Sequence, residues 1–317
     1  MNLELQICLA VLLDLIFGDP RWFPHPVKFM GRLAMALEAP ARRAVRNPRA
    51  AGIMVATAVI LATAAVALAV LEAARYAHPR VADAVSVVLI YTGIAARDLV
   101  DHSRAVWHAL SEQNLEFARK KVGMICGRDT ASLDEAGIAR ATVESVAENL
   151  VDGVTAPLFF AAVAGPVGMM VYKAVSTLDS TFGYKNERYI EFGWASARVD
   201  DVLAFIPARL TALCVPLGAL LLRERPLGAL RIFLRDRGKH PSPNAGQSEA
   251  AVAGALGVQL GGPSVYGGVT THKPTLGDPV ELLGGAHIRR ANTLMLVTAG
   301  LVVAALLATR IVVGSIR

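Results

Sequence analysis

The sequence predicts an all-α, polytopic integral membrane protein with four to six membrane helices and helical cytoplasmic loops. Of its 317 residues, 54% are hydrophobic and only 18% are charged, a balance that is too apolar for an ordinary soluble domain. Two apolar stretches approach the roughly 20 residues that a spanning helix needs, and four are shorter or carry charge. The six candidates lie near 1–17, 51–71, 84–96, 156–172, 202–222 and 293–313. We expect them to form one membrane-embedded domain over residues 1–317.

Positive charge is concentrated in two of the polar loops between these stretches. Segment 20–50 holds seven Lys or Arg against one Glu, and segment 223–292 holds nine against five acidic residues. The positive-inside rule places both on the cytoplasmic side, so the spans between them cross an even number of times. No basic stripe is interleaved with aromatic residues, so nucleic acid is not expected as a partner. The polar loops are 18–50, 97–153, 173–201 and 223–292.

The apolar stretches on either side of loop 173–201 can be broken or re-entrant helices. "GPVG" at 165–168 interrupts the first, and Pro207 and Pro216 interrupt the second. Two full crossings would place the loop outside, whereas two re-entrant helices would return it to the cytoplasmic side. We favour the re-entrant arrangement because Arg209, an ionisable residue at membrane depth, is a functional candidate, although snorkelling or a structural ion pair would also explain it.

Segment 97–153 predicts one or two amphipathic helices followed by an acidic helix. "SLDE" at 132–135 can form a capping box, so the acidic helix is expected from about 133 to 152, where Gly153 and Pro157 stop it.

Three acidic residues of this helix, Glu144, Glu148 and Asp152, are spaced four apart and share one stripe. They lie near the C-terminal end, where the helix dipole disfavours anions, and Arg140 is the nearest base on the helix. The acids therefore repel one another unless a cation intervenes, which favours a hard cation such as Mg²⁺. A solvated helix face is the alternative explanation.

Two further segments carry polar candidates. "SEAAVAGALGVQL" at 248–260 predicts a small-residue helix, and the glycines of 261–268 around Tyr266 predict either a surface loop or one that lets a large ligand approach the backbone. No P-loop or GxGxxG motif is present, so ATP would not be held in a familiar cradle. Loop 173–201 is dense in groups that bind anions or metals: Lys173, Asp179, Lys185, Arg188, Arg198, Asp200 and Asp201.

Four long motifs together resemble the CobD/CbiB family of cobalamin biosynthesis, the adenosylcobinamide-phosphate synthases. They are "LLDLIFGDPRWFPHPVKFMGRL" at 12–33, "ESVAENLVDGVTAPLFF" at 144–160, "YKAVSTLDSTFGYKNERYIEFGWASARVDDVLAFIPARLTAL" at 172–213 and "HPSPNAGQSEAAVAGALGVQLGGPSVYGG" at 240–268. The resemblance covers about residues 10–290. The family has "NTLDS" where this chain has "STLDS", and a Trp where this chain has Gln247. These differences affect only Ser176 and Gln247 as expected contacts.

The resemblance implies a multi-pass inner-membrane carbon–nitrogen ligase. Its reaction would join adenosylcobyric acid to (R)-1-amino-2-propanol or its O-phosphate by an amide bond, driven by ATP with Mg²⁺ and without a permanently bound cofactor. Activation of a carboxylate, most simply as an acyl phosphate, requires positioning and charge neutralisation. Other implied partners are membrane lipids and other cobalamin-assembly enzymes.

The resemblance also implies roles for the residues above. The metal ligands would be Glu144, Glu148 and Asp152, with Asp200 and Asp201 as a second set. The catalytic candidates are Lys173, Asp179, Lys185, Arg188, Arg198 and Arg209. The substrate-binding candidates are Asp19, His25, Asn149, Tyr184, Asn186, Ser242, Asn244, Glu249 and Tyr266. Physical arguments alone leave two other functions open, a membrane transporter or binding protein for a corrinoid and a membrane phosphotransferase.

Overall fold

The computed structural model describes residues 1–20, 22, 24–184 and 186–316, and these are predominantly helical. A π-helical turn, Leu150–Thr155, joins the seventh and eighth helices. The predicted fold class is confirmed: the chain is an all-α polytopic membrane protein, with one small two-stranded sheet. In chain order the elements are α1 (Leu3–Phe17), α2 (Pro26–Ala44), α3 (Pro48–Ala77), α4 (Pro79–Tyr91), α5 (Ala96–Ser111), α6 (Leu115–Val122), α7 (Glu135–Asn149), α8 (Ala156–Phe182), α9 (Trp194–Leu203), α10 (Phe205–Leu221), α11 (Pro226–Asp236), α12 (Ala245–Leu256), β1 (Leu260–Tyr266), β2 (Val269–Leu276) and α13 (Gly285–Ile316).

Three helical stretches of the described chain are long and apolar enough to cross a membrane: Pro48–Ala77, Glu135–Phe182 and Gly285–Ser315. A fourth candidate exists if α9 and α10, which are separated by a break, are counted as one span. Four spans would be the lower end of the predicted range of four to six. The predicted spans near 1–17 and 84–96 correspond to α1 and α4, whose 15 and 13 residues are short of a full crossing.

The acidic helix differs from its prediction at both ends. Asp134, not Ser132, is the N-cap of α7, and its carboxylate accepts a hydrogen bond from the Gly137 amide at 2.7 Å. Gly153 and Pro157 do not stop the helix, because the chain passes through the π-helical turn into α8. Pro157 falls in the first turn of α8, where a missing amide hydrogen costs little.

The predicted interruption at "GPVG" is confirmed. Ala164 and Gly165 leave helical geometry inside α8, and Gly165 has φ 66° and ψ −164°. Glycine adopts this conformation without the steric penalty of a side chain, and Pro166 cannot continue the helical hydrogen bonds. The helix is therefore kinked where the sequence predicted a break.

The glycine-rich segment after α12 is a β-hairpin rather than a loop. β1 and β2 pair antiparallel, with Tyr266 opposite Val269 and Gly262 opposite Lys273. Gly267 and Gly268 form the two-residue turn with φ of 57° and 78°, as a type I′ hairpin turn requires. The alternation that would reveal these strands is obscured by glycine, threonine and proline, so the sequence pattern resembled a loop.

The described chain forms two compact units, which are treated separately below. Unit 1 comprises residues 1–95, 156–204 and 306–317, and in it α3 packs against α2, α4, α8 and α9. Unit 2 comprises residues 96–155 and 205–305, and its centre is α12, which packs on α7, α10 and α11.

Close approach of two helices defines the centre of unit 2. All 12 residues of α12 are buried, as expected for its small side chains. A Cβ atom on Gly254 would lie 2.3 Å from the carbonyl oxygen of Gly228 in α11. The small-residue helix of the prediction thus allows backbones to touch, and it carries Glu249 into the interior.

Candidate active site

Glu144 is held by two partners that are distant in sequence. Its carboxylate forms an ion pair with the Arg128 guanidinium, and both side chains are buried. Its Oε1 accepts a hydrogen bond from the Gly261 amide at 2.7 Å, at the start of the hairpin. Because buried charges require pairing and hydrogen bonds, α7, the loop after α6 and β1 are joined at this carboxylate.

Two more carboxyl groups lie near Glu144, and they differ in exposure. Glu148 has an exposed side-chain surface, but the protein atoms packed around it still desolvate its carboxylate, and the charges of Lys273 and Glu144 act on it. Glu249 is only 4% exposed in the middle of α12. Burial, followed by the negative charges of Glu148 and Glu144, raises the pKa of Glu249 well above its ordinary value. Burial thus favours the protonated form of Glu249, and Glu148 is the member of the pair that a solute can reach.

Lys273 brings a positive charge to these carboxyl groups. Burial lowers the pKa of Lys273, but Tyr266 and Glu249 outweigh this effect, and the pKa ends above its ordinary value. Its ammonium group lies 5.8 Å from the centre of the Tyr266 ring, within the range of a cation–π contact. We refer to Arg128, Glu144, Glu148, Glu249 and Lys273 as the ion cluster.

His240 adjoins the ion cluster from the loop before α12. Its Nε2 lies 3.7 Å from Glu249 Oε1, and its Nδ1 accepts a hydrogen bond from the Ser242 amide at 3.0 Å. Burial and then the charge of Lys273 lower the pKa of His240 to about 4. The imidazole is thus neutral at neutral pH, and its Nε2 is buried without a hydrogen-bond partner in the described structure.

The hairpin that carries Lys273 is fixed by side chains outside it. The Asp129 amide donates to the carbonyl of Val265 at 2.8 Å, and the Asp129 carboxylate accepts from the Gly268 amide at 2.7 Å. Arg140 donates to the carbonyl of Pro263 at 2.9 Å. These contacts fix the hairpin to the rest of unit 2. They hold Lys273 beside the other members of the ion cluster, with Tyr266 next to it.

The other predicted residues of unit 2 have mainly local contacts. Arg209 donates to the carbonyl of Phe205 at 2.8 Å and to the side chain of Asn244 at 3.4 Å. Ser242 accepts from the Asn244 and Ala245 amides and so turns the chain into α12. Asn149 donates to the Ser145 carbonyl of its own helix, and the half-buried Asp152 lies in the π-helical turn.

The remaining predicted residues belong to unit 1. The His25 ring caps α2 and lies 3.4 Å from Asp19. Arg188 donates two hydrogen bonds, of 3.1 and 2.9 Å, to the buried carboxylate of Glu38. Arg188 therefore has a structural partner.

Further predicted residues of unit 1 lie on or near α8 and α9. Lys173 and Asp179 are in α8, and Arg198 lies 3.8 Å from Asp201 in α9, beside Asp200. Tyr184 and Asn186 are exposed. Lys185 lies outside the described residues.

Basic side chains supply positive charge at the predicted metal site. No group of three or more His, Cys, Asp or Glu in the described ranges is arranged to hold a metal ion. Both oxygens of Glu144 are engaged, and Arg128 and Lys273 supply the charge that the acidic stripe required. The described residues therefore do not fit the predicted three-carboxylate site, and Mg²⁺ stays a prediction as an ion carried by a triphosphate, which needs only one or two carboxylates.

Sequence reasoning missed Arg128, His240 and Lys273, and it predicted a loop at Gly261 without its contact to Glu144. Arg128 and Gly261 lie 16 and 117 residues from Glu144 in the chain, so no helical spacing connects them. The one usable signal was the unbalanced charge of the acidic helix, which showed that a cation was required but not which one.

A sequence model described as "CobD/Cbib protein" matches residues 7–295, nearly the whole chain. The chain belongs to the CobD/CbiB family. The ion cluster lies entirely within the matched residues. No solved structure matches the chain.

Curated members of the CobD/CbiB family are similar along almost their full length. The chain is 46% identical to "Cobalamin biosynthesis protein CobD" of Leptospira interrogans. The alignment extends over 292 residues and covers 92% of this chain and 93% of the relative. It is 50% identical over 286 residues to the protein of that name in Geobacter metallireducens, covering 90% of each. It is 44% identical over 306 residues to "Cobalamin biosynthesis protein CbiB" of Salmonella typhimurium, covering 96% of each. This similarity supports a role in cobalamin biosynthesis.

Proposed function

We propose that this protein joins the carboxyl group of adenosylcobyric acid to the amine of (R)-1-amino-2-propanol or its O-phosphate, with ATP and Mg²⁺ as co-substrate and ion. The reaction makes it a carbon–nitrogen ligase of the inner membrane. The observation that carries the proposal is the ion cluster, in which an exposed carboxyl group, a buried carboxyl group with a raised pKa and a lysine meet beside a neutral histidine.

Amide formation requires removal of a proton from the amine. The substrate amine is an ammonium ion at neutral pH, and it must lose one proton before it attacks a carboxyl group that ATP has activated as an acyl phosphate. A second proton leaves the nitrogen as the C–N bond forms, and the acyl C–O bond breaks to release phosphate. Glu148 is the carboxyl group of the ion cluster that is exposed, so the ammonium reaches it first. A carboxylate within hydrogen-bond reach can both bind the ammonium and accept a proton as the new C–N bond forms.

The neighbours of Glu148 suit this role. Burial raises the pKa of Glu249 and so favours its neutral form, and it lies beside the neutral His240, so both compete less for the ammonium than a charged pair would. Lys273 lies at the same place and can neutralise a phosphate or the oxygen on which negative charge develops. The positive charge of Arg128 is already matched by Glu144, so it positions α7 rather than binding substrate.

Purified full-length protein in lipid nanodiscs tests the proposal directly. The protein is incubated with adenosylcobyric acid, ATP, Mg²⁺ and either the amine or its O-phosphate, and the amide product is measured by mass spectrometry. We expect product only when all components are present. A corrinoid transporter would give no amide, and a lipid phosphotransferase would consume ATP without a corrinoid.

A matched pair of variants connects the reaction to the ion cluster. We expect Glu148→Gln to lower the rate by about 10²–10⁴-fold, the usual contribution of a general base. Glu116→Gln is the control, since Glu116 is an exposed acid of α6 in the same unit, 2.8 Å from Lys120. Equal rates for the two variants would remove Glu148 from the reaction.

A further inference from the structure

A cavity of about 520 Å³ lies between α5 and the beginning of α13 in unit 2, and it shares no residue with the ion cluster. The residues that line it belong only to these two helices. They are Val100, Arg104, Trp107, His108, Arg289, Asn292, Thr293 and Leu296. No acidic residue of the described chain lines it, and Glu224, which lines a neighbouring cavity that shares Arg289, is paired with Arg290, so the cavity's charge is positive.

The two arginines of this cavity differ from most arginines around them. Arg104 and Arg289 are exposed and make no ion pair within the described residues. By contrast Arg290, the next residue, is tied to Glu224 and Glu281, and Arg97 of α5 lies 2.8 Å from Asp101. Two guanidinium groups left without an acid beside one cavity form a site for an anion with several oxygens.

Trp107 orients one of these arginines. The Arg289 guanidinium lies 5.0 Å from the centre of the Trp107 ring, in a cation–π contact. The His108 ring packs against the same indole at 4.6 Å. The arginine is thus held over the cavity before any ligand arrives, which reduces the entropy lost on binding.

Asn292 provides a second, independent indication of a ligand. Its side chain is only 5% exposed, and its Oδ1 accepts a hydrogen bond from Ser103 at 2.8 Å. Its Nδ2 is buried without a partner. An unpaired buried donor destabilises the protein, and an oxygen of a ligand in the cavity would satisfy it.

The position of the cavity beside a candidate membrane helix favours a lipid headgroup as the source of the anion. α13 is one of the candidate membrane spans, and Arg289 to Leu296 occupy its first turns. Tryptophan is enriched at the level of lipid headgroups, and basic pockets beside membrane helices bind anionic lipids. Val100 and Leu296 give the cavity an apolar side along which an acyl chain can continue.

We propose that this cavity binds the phosphate of an anionic phospholipid headgroup. Arg104 and Arg289 pair with its negative charge, and Asn292 donates a hydrogen bond to one of its oxygens. The site anchors unit 2 to the lipid surface and is independent of the ligase proposal. Neither arginine belongs to the ion cluster, so loss of lipid binding and loss of amide formation are separate outcomes.

Native mass spectrometry of the full-length protein tests this site. The protein in mild detergent is titrated with phosphatidylglycerol, with phosphatidylcholine as the uncharged reference and inorganic phosphate as competitor. We expect retention of phosphatidylglycerol but not of phosphatidylcholine, and little displacement by phosphate. Equal retention of the two lipids, or complete displacement by millimolar phosphate, would overturn the lipid assignment.

Variants connect the retained lipid to the cavity. Arg104→Gln with Arg289→Gln should weaken phosphatidylglycerol binding by about tenfold or more. Arg97→Gln is the matched control on the same helix, and it should leave binding unchanged. The single variants at these exposed positions serve if the double variant does not fold. Unchanged lipid retention in folded Arg104 and Arg289 variants would refute the proposal.

Discussion

Arg128 and Glu144 form an ion pair in which each side chain is only 6% exposed. The pair joins α7 to the loop after α6, and the same carboxylate holds the first residues of the hairpin through the Gly261 amide. It is therefore the contact on which the geometry of the ion cluster depends.

Loss of one partner of this pair should destabilise unit 2. Arg128→Met leaves Glu144 buried with an unmatched charge, and we expect a loss of about 3–5 kcal/mol in the free energy of unfolding. Thermal unfolding in detergent measures it. The double variant Arg128→Met with Glu144→Gln should recover part of the loss, because no charge is then left unpaired. A single variant as stable as the parent would show that water reaches the pair.

Removal of the Glu148 charge should have opposite effects on stability and activity. Glu148→Gln removes the desolvation cost of the charge and its repulsion with Glu144, which together offset the lost attraction to Lys273, so the melting temperature should stay equal or rise slightly. Amide formation should fall. If activity returns at high Mg²⁺, Glu148 is a metal ligand; if it does not, Glu148 acts on the amine. A lower melting temperature would instead indicate a structural salt bridge.

The pH dependence of stability should report on His240. Its pKa is about 4 in the folded protein and near 6.5 when unfolded, so the unfolded chain binds more protons between these values. Stability should therefore rise with pH from about 4 to about 6.5, and His240→Gln should remove that part of the slope.

Glu249 contributes with the opposite sign, because its raised pKa makes the folded protein bind the extra proton, and stability from it falls as pH rises above the ordinary carboxyl range. Glu249 is present in both proteins, so the difference between parent and His240→Gln isolates the contribution of the histidine. Melting temperatures at pH 4, 5, 6 and 7 measure it. Parallel curves for the two proteins would contradict the neutral His240.

Close packing of α11 and α12 should make Gly254 intolerant of a side chain. In Gly254→Ala the new Cβ would lie 2.3 Å from a backbone oxygen that cannot move freely, and we expect a loss of about 1–3 kcal/mol. Gly300→Ala is the control, because no atom lies within 4 Å of its Cβ position in α13, and alanine favours a helix by about 1 kcal/mol. Similar melting temperatures for both variants would contradict the packing argument.

The side of the membrane that loop 173–201 occupies stays a prediction. Ser180 is exposed near the end of α8, so Ser180→Cys, in a protein lacking Cys8, Cys126 and Cys214, offers an accessible thiol. In the re-entrant arrangement it reacts with a membrane-impermeant reagent in inverted vesicles but not in whole cells. Arg46→Cys, in segment 20–50, which the sequence predicts to be cytoplasmic, is the control. Labelling of Ser180→Cys in whole cells would favour two full crossings.

Hydropathy and local pattern determined most of the helical architecture. The apolar stretches 51–71 and 293–313 lie in α3 and α13, the amphipathic segment after residue 97 forms α5 and α6, and "GPVG" marks the kink of α8. These features depend on interactions within a few residues of the chain, which periodicity, glycine and proline reveal directly. The long motifs determined the family in the same way, because they are read in order along the chain.

Only the tertiary structure decided the environment of the acidic stripe. The sequence showed that Glu144 and Glu148 required a nearby cation, but a sequence pattern does not say which distant residue packs against a helix. Arg128 and Lys273 reach these carboxyl groups through a loop and a hairpin that form only when α12 and β1 pack on α7. Burial within that packing, not local spacing, raises the pKa of Glu249 and keeps His240 neutral, because desolvation depends on every element around a group.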